Sequence, residues 1–243
     1  METFEKQWTL NFTQCYPKGD IKFSELSNIL QITASEHAEK IGFGYFDMMA
    51  SSQSWVLSRM LIEIDKLPKY TESFTVRTWI QNFSGIKSIR NFEITLNDQI
   101  IITSTSLWVV FNIEKRKAET LNLNTEHIHF KHNESSTKND LKKISLHSDQ
   151  PVIGEHQVKL SDLDIANHAN NIKYMEWCFD TLEPKSITNG SIRAIEMNFL
   201  RELKLNDQIK ITQGGTKGFE NVYQIEKDNL VHFIMKISRN IAN

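Results

Sequence analysis

The chain carries an approximate copy of itself. Laying residues 60–78 (MLIEIDKLPKYTESFTVRT) over 195–213 (IEMNFLRELKLNDQIKITQ) matches Ile62, Ile64, Phe74 and Val76 with Met197, Phe199, Ile209 and Ile211. Both segments read as strand, polar turn, strand. Their apolar and polar residues alternate with the period of two that a strand with one buried and one wetted face requires. A second strand pair follows in each copy. SIRNFEITLNDQIIITSTSLWVVF turns at Asn97 and Asp98, and VYQIEKDNLVHFIMKIS turns at Asp228 and Asn229, residue types that accept the backbone of a tight hairpin.

One helix candidate precedes each strand set. SELSNILQITASEHAEKIG puts Leu26, Ile29, Leu30, Thr33, Ala34, His37 and Ile41 on one stripe, with Ser24 expected to cap its start and Gly42 its end. The second helix, expected over roughly 168–182, spaces Ile172, Met175, Phe179 and Leu182 along one face, with Pro184 closing it. Residues 124–150 are polar and lack a clear apolar period, so they read as a linker. An amphipathic helix ahead of an antiparallel sheet, present twice, predicts an α+β fold. The expected halves are residues 1–123 and 151–243, each with its helix lying across a curved sheet.

Composition narrows the function. A formal charge of −2 on 243 residues removes the basic field that general nucleic-acid binding needs. No stretch approaches the ~18 apolar residues of a membrane span, and the opening METFEKQWTLNFTQCYPKGD lacks the pattern of a signal peptide. Cys15 and Cys178 make no disulfide framework in a chain this long. A cytoplasmic location is expected.

The stretch SDLDIANHANNIKYMEW, residues 161–177, places Asp164 and His168 at the expected start of the second helix. First-turn N–H groups there lack intrahelical acceptors and can polarise a carbonyl oxygen. Asp164 is placed to orient or deprotonate water and His168 to anchor substrate or assist proton transfer. Asp164 serves equally well as a helix cap, and His168 as a packed, hydrogen-bonded residue. Asn170 and Asn171 either offer amides to a substrate or face water.

DLDIANHANNIKYMEW resembles the motif of the plant and bacterial acyl-acyl carrier protein thioesterases. ILQITASEHAEKIGFG, WVLSRMLIEIDKLPKYTESFTVRTW and STSLWVVFNIEKRKAETL resemble that family's first half in order and spacing. The resemblance covers nearly the whole chain and implies a double hotdog, each half an antiparallel sheet wrapped around a long helix. It further implies hydrolysis of fatty acyl-acyl carrier protein to free fatty acid, within fatty acid biosynthesis. Asp164, His168 and Glu202 match the family's catalytic aspartate, histidine and glutamate. Glu202, near a strand end, could project its carboxylate toward the helix start, or stand as an exposed turn acid beside Arg201 and Lys204.

Two positions depart from the family. Its asparagine two residues after the aspartate is Ala166 here, with Asn167 one position later as an imperfect substitute, and the cysteine of some members is Leu203. Water activated by Asp164 or Glu202 is then the expected nucleophile, with no metal, nucleotide or other cofactor. The alternatives are a non-catalytic acyl-binding hotdog protein, favoured by Ala166, and an acyl-CoA thioesterase.

Other signals weigh less. Glu126, His127, His129 and His132 lack an established zinc spacing, and Cys178 reads as a buried structural thiol. Lys115, Arg116 and Lys117, or Lys138, Lys142 and Lys143, could steer an acidic carrier protein or simply be solvated surface. Trp55, Trp79, Trp108, Met48 and Met49 either line an acyl tunnel or pack a core. Neither nucleic acid nor membrane is an expected partner, and association as a homodimer is left open. One prediction follows from the missing amide. Ala166→Asn is expected to raise thioester turnover if that absence limits the rate, and an unchanged rate places the limit elsewhere.

Overall fold

The computed structural model describes residues 2–128, 130–132, 134–217 and 220–240. The first half runs β1 (Thr3–Thr9), α1 (Phe23–Lys40), α2 (Tyr45–Met49), β2 (Gln53–Ile64), β3 (Ser73–Ser84), β4 (Lys87–Leu96), β5 (Gln99–Asn112) and the short β6 (Lys117–Ala118). The second runs β7 (Val152–Gln157), α3 (Asn171–Asp180), α4 (Pro184–Thr188), β8 (Ile192–Phe199), β9 (Gln208–Lys217), β10 (Glu220–Lys227) and β11 (Leu230–Arg239). All strands join one eleven-stranded antiparallel sheet in the order β1-β3-β4-β5-β2-β8-β11-β10-β9-β7, with β6 paired to β5. Read from the centre outward, the two halves repeat each other. Both helices lie on one face, in the double-hotdog arrangement.

The seam between the halves is the β2–β8 pair. Leu61, which lies over Glu196 when the copies are superposed by sequence, is also its direct partner in the sheet. In an antiparallel pair related by a two-fold, only the residue on the axis faces its own equivalent, so an approximate two-fold passes through this point. Met60 and Ile62 are directly opposite Met197 and Ile195. All four side chains are essentially buried, within one apolar core that takes residues from both helices and both halves of the sheet. Phe23 of α1 stacks on Phe179 of α3 at 5.2 Å, closing that core from above.

Local chemistry explains most element ends. Asn97 and Asp98, and Asp228 and Asn229, all have positive φ, the left-handed pair that a two-residue hairpin needs. Gly42, at φ +74°, ends α1. Ser24 does not cap α1. Lys22 holds the cap position without a side-chain bond, and Ser24 is buried inside the first turn, because burying Phe23 against Phe179 draws the helix start inward. The second helix starts later than its spacing predicts, at Asn171, since the Asn170 side chain accepts the Ile172 N–H at 3.1 Å and caps it. Leu182 lies beyond the end of α3, and Pro184 opens α4.

The edge strands β1 and β7 have no counterpart in the sequence reading. In β1, Phe4, Lys6 and Trp8 share the face toward α1. Lys6 pairs with Glu36, and Trp8 Nε1 donates to Thr33 Oγ1 at 3.2 Å. The described part of 124–150 contains no helix or strand, yet it is tied down along the sheet's other face. Trp79 Nε1 donates to the Glu134 carbonyl at 2.9 Å, and Glu63 accepts the backbone N–H groups of Lys138 and Asn139 at 2.7 and 3.0 Å. Asn198 Oδ1 and Gln224 Oε1 accept those of Ile144 and His147 at 2.8 and 2.9 Å. Asn91, Asn198 and Gln224 are all buried, and this strap supplies partners for side chains that would otherwise be costly to desolvate.

Because Ile62 and Ile195 are partners across the seam, the two sites should be energetically coupled. Ile62→Ala and Ile195→Ala are each expected to cost about 2–5 kcal/mol. The double variant should depart from additivity by about 0.5–3 kcal/mol, read from urea unfolding of all four forms.

Candidate active site

The loop between β7 and α3 closes on itself. Leu163 and Ala169 form an isolated bridge, the Asp164 N–H donates to the His168 carbonyl at 2.9 Å, and the Asn167 N–H donates to the Asp164 carbonyl at 3.0 Å. Asn167 takes φ +61° at the tip, a conformation asparagine tolerates well. Asp164 Oδ1 accepts the Ala166 N–H at 2.9 Å and the His168 N–H at 3.4 Å. Asp164 therefore does cap a structure, but it is this loop and not the helix. His168 is likewise outside α3.

Glu202 lies three residues beyond the end of β8, and its neighbour holds it there. Leu203 is completely buried, its N–H donates to the Tyr174 hydroxyl on α3 at 3.0 Å, and its carbonyl accepts the Ala169 N–H at 2.8 Å. Burial pushes the Tyr174 phenol well above its ordinary range, which keeps the hydroxyl neutral. From the other side, His232 Nδ1 lies 3.2 Å from the Glu202 carbonyl, while its own carbonyl accepts the Leu200 and Arg201 N–H groups. Burial lowers the basicity of His232, and a neutral ring with its proton on Nδ1 makes that contact a hydrogen bond.

These constraints bring Glu202 Oε2 within 3.3 Å of His168 Nε2. The same oxygen receives a hydrogen bond from Arg116 Nη2 at 2.6 Å. Arg116 comes from the first half, on the turn between β5 and β6, with φ +52°. Asp164, His168 and Glu202 all line one cleft of about 520 Å³, together with Ala166, Asn171 and Arg116. Asn167 and Asn170 are not among its lining residues. Asn171 Nδ2 also donates to Gln31 Oε1 of α1 at 3.2 Å. The cleft is therefore built by both halves, with an acid and an imidazole in contact and a cation on the acid.

The first half keeps a copy of this loop without its chemistry. The Tyr16 N–H donates to the Asp20 carbonyl and the Gly19 N–H to the Tyr16 carbonyl, both at 2.8 Å, and Gly19 holds the left-handed position at φ +89°. Tyr16 and Asp20 stand where the second half has Asp164 and His168, and Leu67 stands where it has Glu202. A smaller pocket of about 200 Å³ contains all three.

Ser54 and Trp55 of β2 wall the active cleft and also a second apolar pocket of about 200 Å³ under α1 and α2. Met48 and Trp108 line that pocket, whereas Trp79 turns to the linker face and Met49 is exposed. Of the histidine cluster, His129 lies outside the described residues, and His127 Nε2 contacts the Ile41 carbonyl at 2.9 Å. Among the described residues, no three His, Cys, Asp or Glu side chains gather to hold a metal. No described helix is long and apolar enough to cross a membrane. Three contributors to the site escaped the sequence reading: Tyr174, His232 and the pairing of Arg116 with Glu202. Each depends on contacts between residues at least 29 apart, for which the chain offers no local signal.

Fold and cleft together define a tandem hotdog protein with an acid–imidazole pair in its cleft. The comparisons with known proteins carry this further. The acyl-ACP thioesterase N-terminal domain matches residues 1–127 and the C-terminal domain matches 145–238, so the chain belongs to the acyl-ACP thioesterase family. It is 26% identical over 222 residues to the chloroplastic oleoyl-acyl carrier protein thioesterase of Coriandrum sativum, covering 81% of this chain and 59% of that protein. It is 24% identical to the chloroplastic palmitoyl-acyl carrier protein thioesterase of Gossypium hirsutum, covering 86% and 54%. The chain thus spans somewhat over half the length of these curated relatives. The crystal structure of an acyl-ACP thioesterase from Bacteroides thetaiotaomicron superposes with a TM-score of 0.90 at 25% identity, covering 98% of each chain. The 12:0-ACP thioesterase from Umbellularia californica superposes at 0.84 and 19% identity, covering 98% and 97%.

Tyr174→Phe removes the acceptor for the buried Leu203 N–H. It is expected to cost about 1–3 kcal/mol and to lower kcat more than it raises KM, because Glu202 loses its placement; urea unfolding and steady-state kinetics on one preparation check both.

Proposed function

We propose that this chain hydrolyses the thioester between a fatty acyl group and acyl carrier protein, releasing the free acid in fatty acid biosynthesis. The observation that carries this reading is the contact of His168 Nε2 with Glu202 Oε2 at 3.3 Å, in a cleft that shares a wall with an apolar pocket. Family membership supports the substrate class. Residues 151–243 hold the catalytic groups, residues 1–123 take the acyl chain, and 124–150 join them.

In this reading Glu202 takes a proton from water as the water oxygen attacks the thioester carbonyl. The Asn171 N–H, the first-turn amide of α3 that the Asn170 cap does not take, faces the developing oxyanion. The tetrahedral intermediate collapses by breaking its C–S bond, His168 gives a proton to the leaving thiolate, and Glu202 returns the proton it took from water to His168 across their contact. Arg116 holds the Glu202 carboxylate in orientation. Asp164 holds the loop that positions His168 and offers its second oxygen, Oδ2, to water or substrate. No cofactor enters. Arg116, Arg201 and Lys204 line the cleft, flanked by Lys115 and Lys117, and this positive rim suits an acidic carrier protein better than the lysines of the linker, which lie on the sheet's other face. A cytoplasmic location is part of the same proposal.

The test is thiol release from a chain-length series on acyl carrier protein and on CoA at matched length. Glu202→Gln and Asp164→Asn are each expected to lower turnover on the order of 10² to 10⁴. Asn at 164 keeps the Oδ1 acceptor of the loop, so unfolding free energy should change little in that variant. Full turnover in both variants overturns the assignment. Acyl binding without thiol release favours the non-catalytic alternative that Ala166 raises, and a preference for CoA identifies the other.

A further inference from the structure

The pocket under α1 is not apolar throughout. Ser88 and Arg90 line one part of it, two residues apart on β4 and therefore on the same face of the sheet. Further along that face, β4 presents Phe92, Ile94 and Leu96, all buried in the main core. Arg90 is only 6% exposed. Its Nη1 contacts His37 Nδ1 at 2.9 Å and donates to Thr78 Oγ1 at 3.2 Å, and no carboxylate among the described residues pairs with it. Burial draws its pKa down to about 10, which leaves it charged at neutral pH.

A buried guanidinium without a counter-ion is expensive, and a plain alkyl chain makes it more so. A terminal methyl group pressed against the cation would displace water and return no acceptor. An oxygen acceptor at the same place would accept N–H groups that Thr78 and His37 leave free, and arginine's planar fork suits a carboxylate best.

We propose that this pocket receives an acyl chain whose far end carries an oxygen acceptor, a carboxylate above all, bound by Arg90. The inference rests on the thioesterase reading above and names its substrate class as the thioester of an ω-oxygenated acid. Nothing in the hydrolytic step changes, since the group that Arg90 reads is remote from the scissile C–S bond.

The experiment compares the wild-type enzyme on two acyl carrier protein thioesters of equal carbon number, one ending in methyl and one in carboxylate. The expected ratio of kcat/KM is at least about tenfold in favour of the carboxylate, a floor well under the roughly 10⁴-fold by which a site built to hydrogen-bond its substrate can reject an analogue lacking that group. Arg90→Met should invert the ratio and Arg90→Lys should largely keep it, whereas a merely structural arginine would lower both substrates together and leave the ratio where it was. A wild-type preference for the methyl-ended chain overturns the inference, whether or not the variants fold. Calorimetric binding of the two free acids to the wild-type protein separates the readings. Tighter binding of the dicarboxylic acid supports the pocket assignment even if no thioester is cleaved, and equal or weaker binding overturns it even if both are cleaved.

Discussion

The pairing of β2 with β8 is what makes one molecule of two similar halves. Each half alone would expose the edge of its sheet, a row of unpaired backbone groups that invites aggregation. Joining the two edges satisfies those groups and lets α1 and α3 share a core over a continuous sheet. The Leu61–Glu196 register follows from the duplication itself, because a symmetric antiparallel pair must place some residue opposite its own copy. Everything at the active cleft depends on that register. β2 brings Ser54 and Trp55 to its wall, and β8 ends where Glu202 must begin.

Symmetry would give two sites, and the molecule has kept the scaffold of both while equipping one. The loop at Tyr16–Asp20 has the hydrogen bonds and the left-handed residue of the loop at Asp164–His168, so its backbone design does not depend on the side chains that do chemistry. Freed from symmetry, the first half contributes differently. It sends Arg116 onto Glu202 and opens a pocket beneath α1. A single cleft then draws on two unlike halves, one supplying the acid–imidazole pair and the other a cation and an adjoining pocket.

The Glu202 carboxylate is held through its neighbours. Leu203 is fixed by Tyr174 and Ala169, and the Glu202 carbonyl by His232. The main chain is thus pinned from α3, from the loop at 163–169 and from β11, while the Glu202 side chain reaches His168 and Arg116. Placing a reactive group on a rigid support in this way lowers the reorganisation needed at the moment of reaction. The linker does similar work on the far face, where its backbone groups pair with Glu63 and with buried Asn198 and Gln224.

Much of this was legible in the chain alone. The period-two alternation predicts the strands around both turns, the Asn-Asp and Asp-Asn pairs predict the hairpins, and the stripe from Leu26 to Ile41 predicts the long helix, because each is a local pattern that burial on one face imposes. The motif at 161–177 and Glu202 marked the residues of interest. The sequence did not reveal β1 and β7, whose short edge strands take their partners from far along the chain. It misplaced the start of α3, where the Asn170 cap competes with a loop that closes on itself. Only tertiary structure decided that Asp164 caps that loop, that Glu202 meets His168 and Arg116, and that Arg90 lines the pocket beneath α1. The physical reason is distance along the chain. Local periodicity encodes which face of an element is buried, whereas the identity of the side chain across the cleft is set by strand register and helix packing, which no short segment contains.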